Sequence, residues 1–221
     1  MNLPIPPRAA TALLVAGFVV SISSDAFARV GETQDAVERR ILQPNLGKLY
    51  FPPRSKDPKE AKEIERQLVK DERDQPFNDV KEFFPENREG VYWKSAMANQ
   101  LSNEDGWKVH VFYVGGRSAL EAYKRVGEAL NEFEIRALLS VNKGSSSWKK
   151  TGGSEGIGHE YELEDGSLRA SVRGNWLMFF APRLDGYVIE QQKVAKDLKD
   201  KELARQKIEQ QAKAPESVTG F

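Results

Sequence analysis

The sequence predicts an α+β fold: an antiparallel sheet of about five or six strands, built from a hairpin and a three-stranded meander, flanked by helices and followed by a protruding C-terminal helix. Three observations carry this. Residues 107–114, WKVHVFYV, are β-branched and aromatic, and Gly115-Gly116 then turns the chain into residues 117–125, RSALEAYKR. The runs HEYELE, SLRASVR and WLMFFA are separated by Asp165-Gly166 and Gly174-Asn175, which are strong hairpin signals. Thr33, Asp57 and Asn131 each stand where a side chain caps the start of a helix.

The elements follow in order. Residues 1–28 have the layout of a secretory signal: Arg8 in a short n-region, the apolar run AATALLVAGFVVSI, then Ala26-Phe27-Ala28 as a small-x-small cleavage site. The apolar run is shorter than the about 20 residues a spanning helix needs. The expectation is export to the periplasm or medium, with no membrane span once the signal is removed. After Thr33, Val37 and Ile41 share one helix face, and Gln43-Pro44-Asn45 ends it. LGKLYF is a short apolar run broken by Pro52-Pro53. Asp57-Pro58-Lys59-Glu60 opens a helix to about Arg73, with only Ala61, Ile64 and Leu68 as its apolar stripe. Residues 71–90 read as a long loop, so about 52–90 form a charged insertion in a domain spanning 29–186.

VYWKSAMAN reads as a strand. In WKVHVFYV, Trp107, Val109, Val111 and Tyr113 point to one face and Lys108, His110, Phe112 and Val114 to the other. RSALEAYKR returns as a strand, with a helix left open because Ala, Leu and Glu favour one. Asn131 and Glu134 form a capping box for a helix to about Asn142, and Gly144 ends it. Residues 144–157 read as a polar connection into the meander. Residues 176–180 are apolar throughout, as a central covered strand would be. Residues 187–213 have high helical propensity and little apolar stripe, so 187–221 read as a charged helix and frayed tail.

Two stretches, GWKVHVFYVGGRSALEAYKR and LNEFEIRALLSVNKGSSSW, together with VGETQDAVER near residue 30, resemble a group of small exported bacterial proteins of unknown function. The resemblance covers about residues 30–50 and 90–180. It implies a compact α+β module and brings no catalytic residues with it. The G-x-T-x-x-x-V start is also similar to small outer-membrane-assembly lipoproteins, but this chain has no cysteine to carry their lipid.

Composition removes several chemistries. The absence of cysteine excludes disulfides, thiol catalysis and cysteine–zinc sites. Zero net charge gives no bulk drive toward nucleic acid. Residues 152–156, GGSEG, spell a serine-hydrolase elbow. Its flanks are wrong, since SSSWKKTG is not a buried strand and IGHEYEL does not start a helix. The neighbouring S-x-x-K and K-T-G signatures nearly overlap, although in penicillin-binding enzymes they come from distant segments. The two histidines, His110 and His159, lack metal-ligand spacing, so neither a metal nor a cofactor is expected. Trp148, after three serines in a polar loop, and His159, after the glycine loop, remain as binding candidates.

The expected function is therefore an exported, non-catalytic binding or envelope-associated module, with the C-terminal helix as a protein-partner contact. One alternative is an exported hydrolase using Ser154 and His159 or a carboxylate pair. The other is a small-ligand carrier with a cavity behind residues 176–180.

Overall fold

The computed structural model describes residues 29–43, 46–51, 54–84, 88–95 and 106–213. The signal-like segment 1–28 and the tail 214–221 lie outside them. The chain is α+β, with eight strands rather than the expected five or six, all in one antiparallel sheet. Chain order is α1 (Gln34–Ile41), β1 (Gly47–Leu49), α2 (Pro58–Arg73), α3 (Asn78–Phe83), β2 (Arg88–Ser95), β3 (Gly106–Val114) and β4 (Arg117–Arg125). Then come α4 (Glu132–Asn142), β5 (Trp148–Gly153), β6 (His159–Leu163), β7 (Arg169–Arg173), β8 (Trp176–Phe180) and α5 (Pro182–Lys213).

The extra strands are the edges. Strand β1 pairs with β2, and β5 pairs with β6. Both are short or glycine-bearing and have no buried residue, so they lack the apolar alternation that marks a strand in sequence. WKKTGG, read as part of a loop, is held as a strand by backbone pairing to His159–Leu163. Residues 71–90, read as loop, contain the end of α2, helix α3 and the start of β2. RSALEAYKR is a strand: the Gly115-Gly116 turn puts both residues at positive φ, 60° and 77°, and forces the chain back along β3.

Sheet order is β1-β2-β3-β4-β8-β7-β6-β5. Two four-stranded meanders thus meet at their last strands, with Ala122 opposite Met178. Each meander is preceded by a capped helix, α1 or α4. Both helices lie on the same face: Val37, Ile41 and Leu139 share a core cluster with Val109, Val111, Leu177 and Phe179. The opposite face is covered by α3 and the start of α5, with Phe77, Val80, Leu184 and Val188 against Phe112, Leu120, Met178 and Phe180. Strand β8 sends alternate side chains into both clusters, so all five of its residues are buried. The chain therefore runs the same helix-and-meander order twice, and the insertion within the first half crosses to the far face.

The caps form as their residue types demand. Thr33 accepts from the Ala36 N–H, Asp57 from those of Lys59 and Glu60, and Asn131 and Glu134 cap each other. Helix α5 begins at Pro182, and Leu184, Asp185 and Val188 are buried against the body. From Lys193 to Gln210 every residue is exposed.

Candidate functional site

On the α1/α4 face the two helices stand apart over β2, β3 and β4 and leave a concave cleft of about 350 Å³. Its floor comes from the strands: Lys94 at the end of β2, Trp107 and Val109 from β3 and Tyr123 from β4 share one face, and Ser95 lies at the rim. The last turn of α1 supplies Arg40 and Ile41. One face of α4 supplies Phe133, Glu134, Ala137, Leu138 and Val141 at helical spacing. Arg29 closes the N-terminal side. Most of the wall is apolar, and three cations, Arg29, Arg40 and Lys94, lie close together.

Beneath these cations lies a buried ion cluster. Arg40 Nε donates to Glu32 Oε2 at 2.9 Å and its Nη2 to Glu121 Oε1 at 2.8 Å. The Glu121 side chain has no exposure, and Tyr123 O–H donates to its second oxygen at 2.5 Å. Burial pushes the Glu121 carboxyl above its usual range, with Arg40 and Tyr123 pulling the other way. Burial and Glu121 together raise the Tyr123 phenol. Beside this cluster, Tyr92 O–H donates to Glu38 Oε1 and is then free to accept from Tyr113, each at 3.1 Å. Lys94 has its pKa lowered by burial, then by Arg29 and Arg40. Arg29 and Lys94 have no ion-pair partner among the described residues.

The residues singled out from sequence lie elsewhere. Trp148 is half-buried on β5, donates from Nε1 to the Leu139 carbonyl at 2.8 Å and rests against Phe179. It ties the α4–β5 connection to the end of α4. His159 sits at the start of β6, its Nδ1 4.0 Å from Asp185 Oδ2. Asp185 is already occupied: Arg169 Nη1 donates to it at 2.6 Å and the Ile157 N–H at 2.8 Å. Arg169 also reaches Glu162, which pairs with Lys149. The GGSEG loop folds back onto this network, and glycine suits position 158 because its φ is +73°, a backbone conformation that strains other residues. Ser154 is exposed and makes no hydrogen bond to His159. The arrangement brings a histidine and a buried carboxylate together, but an arginine neutralises the carboxylate a hydrolase would need free.

The second histidine is fixed on the opposite face. His110 Nδ1 donates to Glu89 Oε1 at 2.5 Å, and its ring lies 5.1 Å from both Phe77 and Trp176. Lys81 pairs with Glu89 at 3.3 Å and stands over the Phe77 ring. Burial holds His110 below its usual pKa, with Glu89 opposing. Among the described residues no three of His, Asp and Glu converge as metal ligands, and no helix is long and apolar enough to cross a membrane.

Sequence reading missed the cleft because its parts come from five elements, α1, β2, β3, β4 and α4, and the segment before α1. One signal was available: in β2, Lys94 alternates with Tyr92 onto the core face, an unusual place for an unpaired lysine. Comparison with family models, curated proteins and solved structures finds no match to the chain.

Proposed function

We propose that the chain is an exported, non-catalytic binding protein that takes a small ligand into the cleft between α1 and α4. Export rests on the signal-like layout of residues 1–28. Binding rests on one observation: a concave, mostly apolar cleft with a few convergent polar groups, about 350 Å³ in volume, within the roughly 300–1,000 Å³ of small-molecule sites. The carrier reading placed its cavity behind residues 176–180. Those side chains are packed on both faces, and the cleft over β2–β4 takes that role here. The test is uptake of the neutral solvatochromic dye Nile red. Ala137 is exposed on α4 and lines the cleft, so Ala137→Trp fills it without disturbing the core. Dye fluorescence should rise with the native chain and stay flat with Ala137→Trp at unchanged far-UV circular dichroism. Equal dye uptake by both proteins removes the cleft as the site.

A second reading concerns α5. Between residues 193 and 210 it extends roughly 27 Å at the α-helical rise, with Val194, Leu198, Leu203 and Ile208 exposed. These residues are the protein-partner contact under this reading. A chain ending at Gln192 should then keep its fold and lose any protein that the full chain retains. Retention of that protein by the shortened chain sinks it.

A further inference from the structure

Resting on the cleft reading above, we infer that the ligand is a free, single-chain amphiphile with one carboxylate head, held at Arg29, Lys94 and Arg40, and a hydrocarbon body lying along Trp107, Leu138 and Val141. The cleft combines a cluster of cations with a mainly apolar wall. The cationic cluster is made by Arg29 from the N-terminal segment, Arg40 from α1 and Lys94 from β2, and the apolar wall by Phe133, Leu138 and Val141 of α4. Arg40 is held by Glu32 and Glu121 at 2.8 Å each. Glu134, the acidic residue on the α4 wall, lies 3.6 Å from Arg125. Arg29 and Lys94 are left without a carboxylate among the described residues.

A half-buried lysine beside two arginines is a site of excess positive charge, and a desolvated cation gains most from an anion brought to it. Three cations against Glu32 and Glu121 leave at least one positive charge to be met, which suits a single anionic head. Arg40 already accommodates two carboxylates, the chemistry a third would use. The α4 wall, with Phe133, Val141 and half-buried Leu138, carries one polar side chain, Glu134, which already accepts from the Asn131 N–H and lies beside Arg125, so it offers nothing to a second anionic head. A neutral ligand would leave the charge unmet. A membrane surface would meet a recess walled by two helices rather than a protruding basic patch.

The experiment is displacement of Nile red from the full chain by decanoate, by decanol of the same chain length, and by vesicles of phosphatidylglycerol, with decanoate kept below its micellar concentration. Decanoate should displace the dye at about tenfold lower concentration than decanol, the ratio expected for one charge-assisted contact of about 1.4 kcal/mol. That ratio should fall below about threefold in Lys94→Met and again in Arg29→Gln, two variants that keep the conclusion testable if one of them folds poorly. It should also shrink as salt rises. Equal displacement by acid and alcohol, with dye still bound in the cleft, overturns the anionic head and leaves the cleft standing as a site. Stronger displacement by vesicles than by decanoate overturns the free amphiphile. Failure of the dye to bind at all overturns the cleft reading on which this rests.

Discussion

Arg40 and Glu121 show how much depends on single side chains here. Glu121 is wholly buried in the sheet and Arg40 is its cation. Removing Arg40 strands a buried carboxylate, so Arg40→Ala should cost about 3–5 kcal/mol in urea denaturation, whereas the double variant Arg40→Leu/Glu121→Met should recover most of that. A loss below about 1 kcal/mol in Arg40→Ala would mean the pair is solvated. His110 gives a pH dependence. Its folded pKa lies below the ordinary 6.5, so the unfolded chain binds the proton more readily. Stability from this group is complete above pH 6.5 and declines as pH falls toward the lowered folded value. Glu89, held below its usual range by His110 and Lys81 despite its burial, adds a loss of the same sign at lower pH. The native chain should therefore lose stability as pH falls below about 6.5, and His110→Gln should flatten that slope in thermal melts. An unchanged slope would place the titration elsewhere. Neither role was legible in sequence. Glu121 could be assigned to the core face only once 117–125 was known to be a strand, and Glu89 lay in a stretch read as loop.

At the scale of elements, the caps and the hairpins were legible and the edges were not. Thr33, Asp57 and Asn131 each cap as their residue types predict. Gly115-Gly116 and Gly174-Asn175 turn where expected. Strand β5 could not be seen in WKKTGG because nothing in its side chains requires a sheet; its partner provides the hydrogen bonds. Trp148 is what anchors it: Trp148→Phe keeps the ring against Phe179, removes the bond to the Leu139 carbonyl and should cost about 1 kcal/mol. Helix α5 divides in two by burial. Ending the chain at Gln192 should leave the melting temperature unchanged. Ending it at Ala181 removes Leu184, Asp185 and Val188 from the far-face core and leaves Arg169 without its buried partner, so that chain should melt at far lower temperature or fail to fold. Equal behaviour of the two truncations would contradict this division.

For the whole molecule, the doubled helix-and-meander order has a functional consequence. Placing α1 and α4 on one face of a shared sheet leaves a space between them whose floor belongs to the first half alone, β2 to β4. The opposite face is covered by α3 and the start of α5, and its own concave space, about 430 Å³, lies at the sheet's hairpin end beside Phe84, Val114, Leu184 and Tyr187, away from the cation cluster. The α+β class and the helical C-terminus follow from local pattern. The cleft does not, because it depends on Arg29, Arg40, Lys94, Trp107 and Val141 meeting across more than a hundred residues of chain. The most direct test of the account is an NMR titration of the full chain with decanoate, observing backbone amides and tryptophan indoles. The account predicts saturable shifts confined to the Trp107 indole, residues 133–141 of α4, and the neighbourhood of Arg40 and Lys94. Shifts centred instead on His159 and the start of α5, or no saturable shifts anywhere, would contradict it.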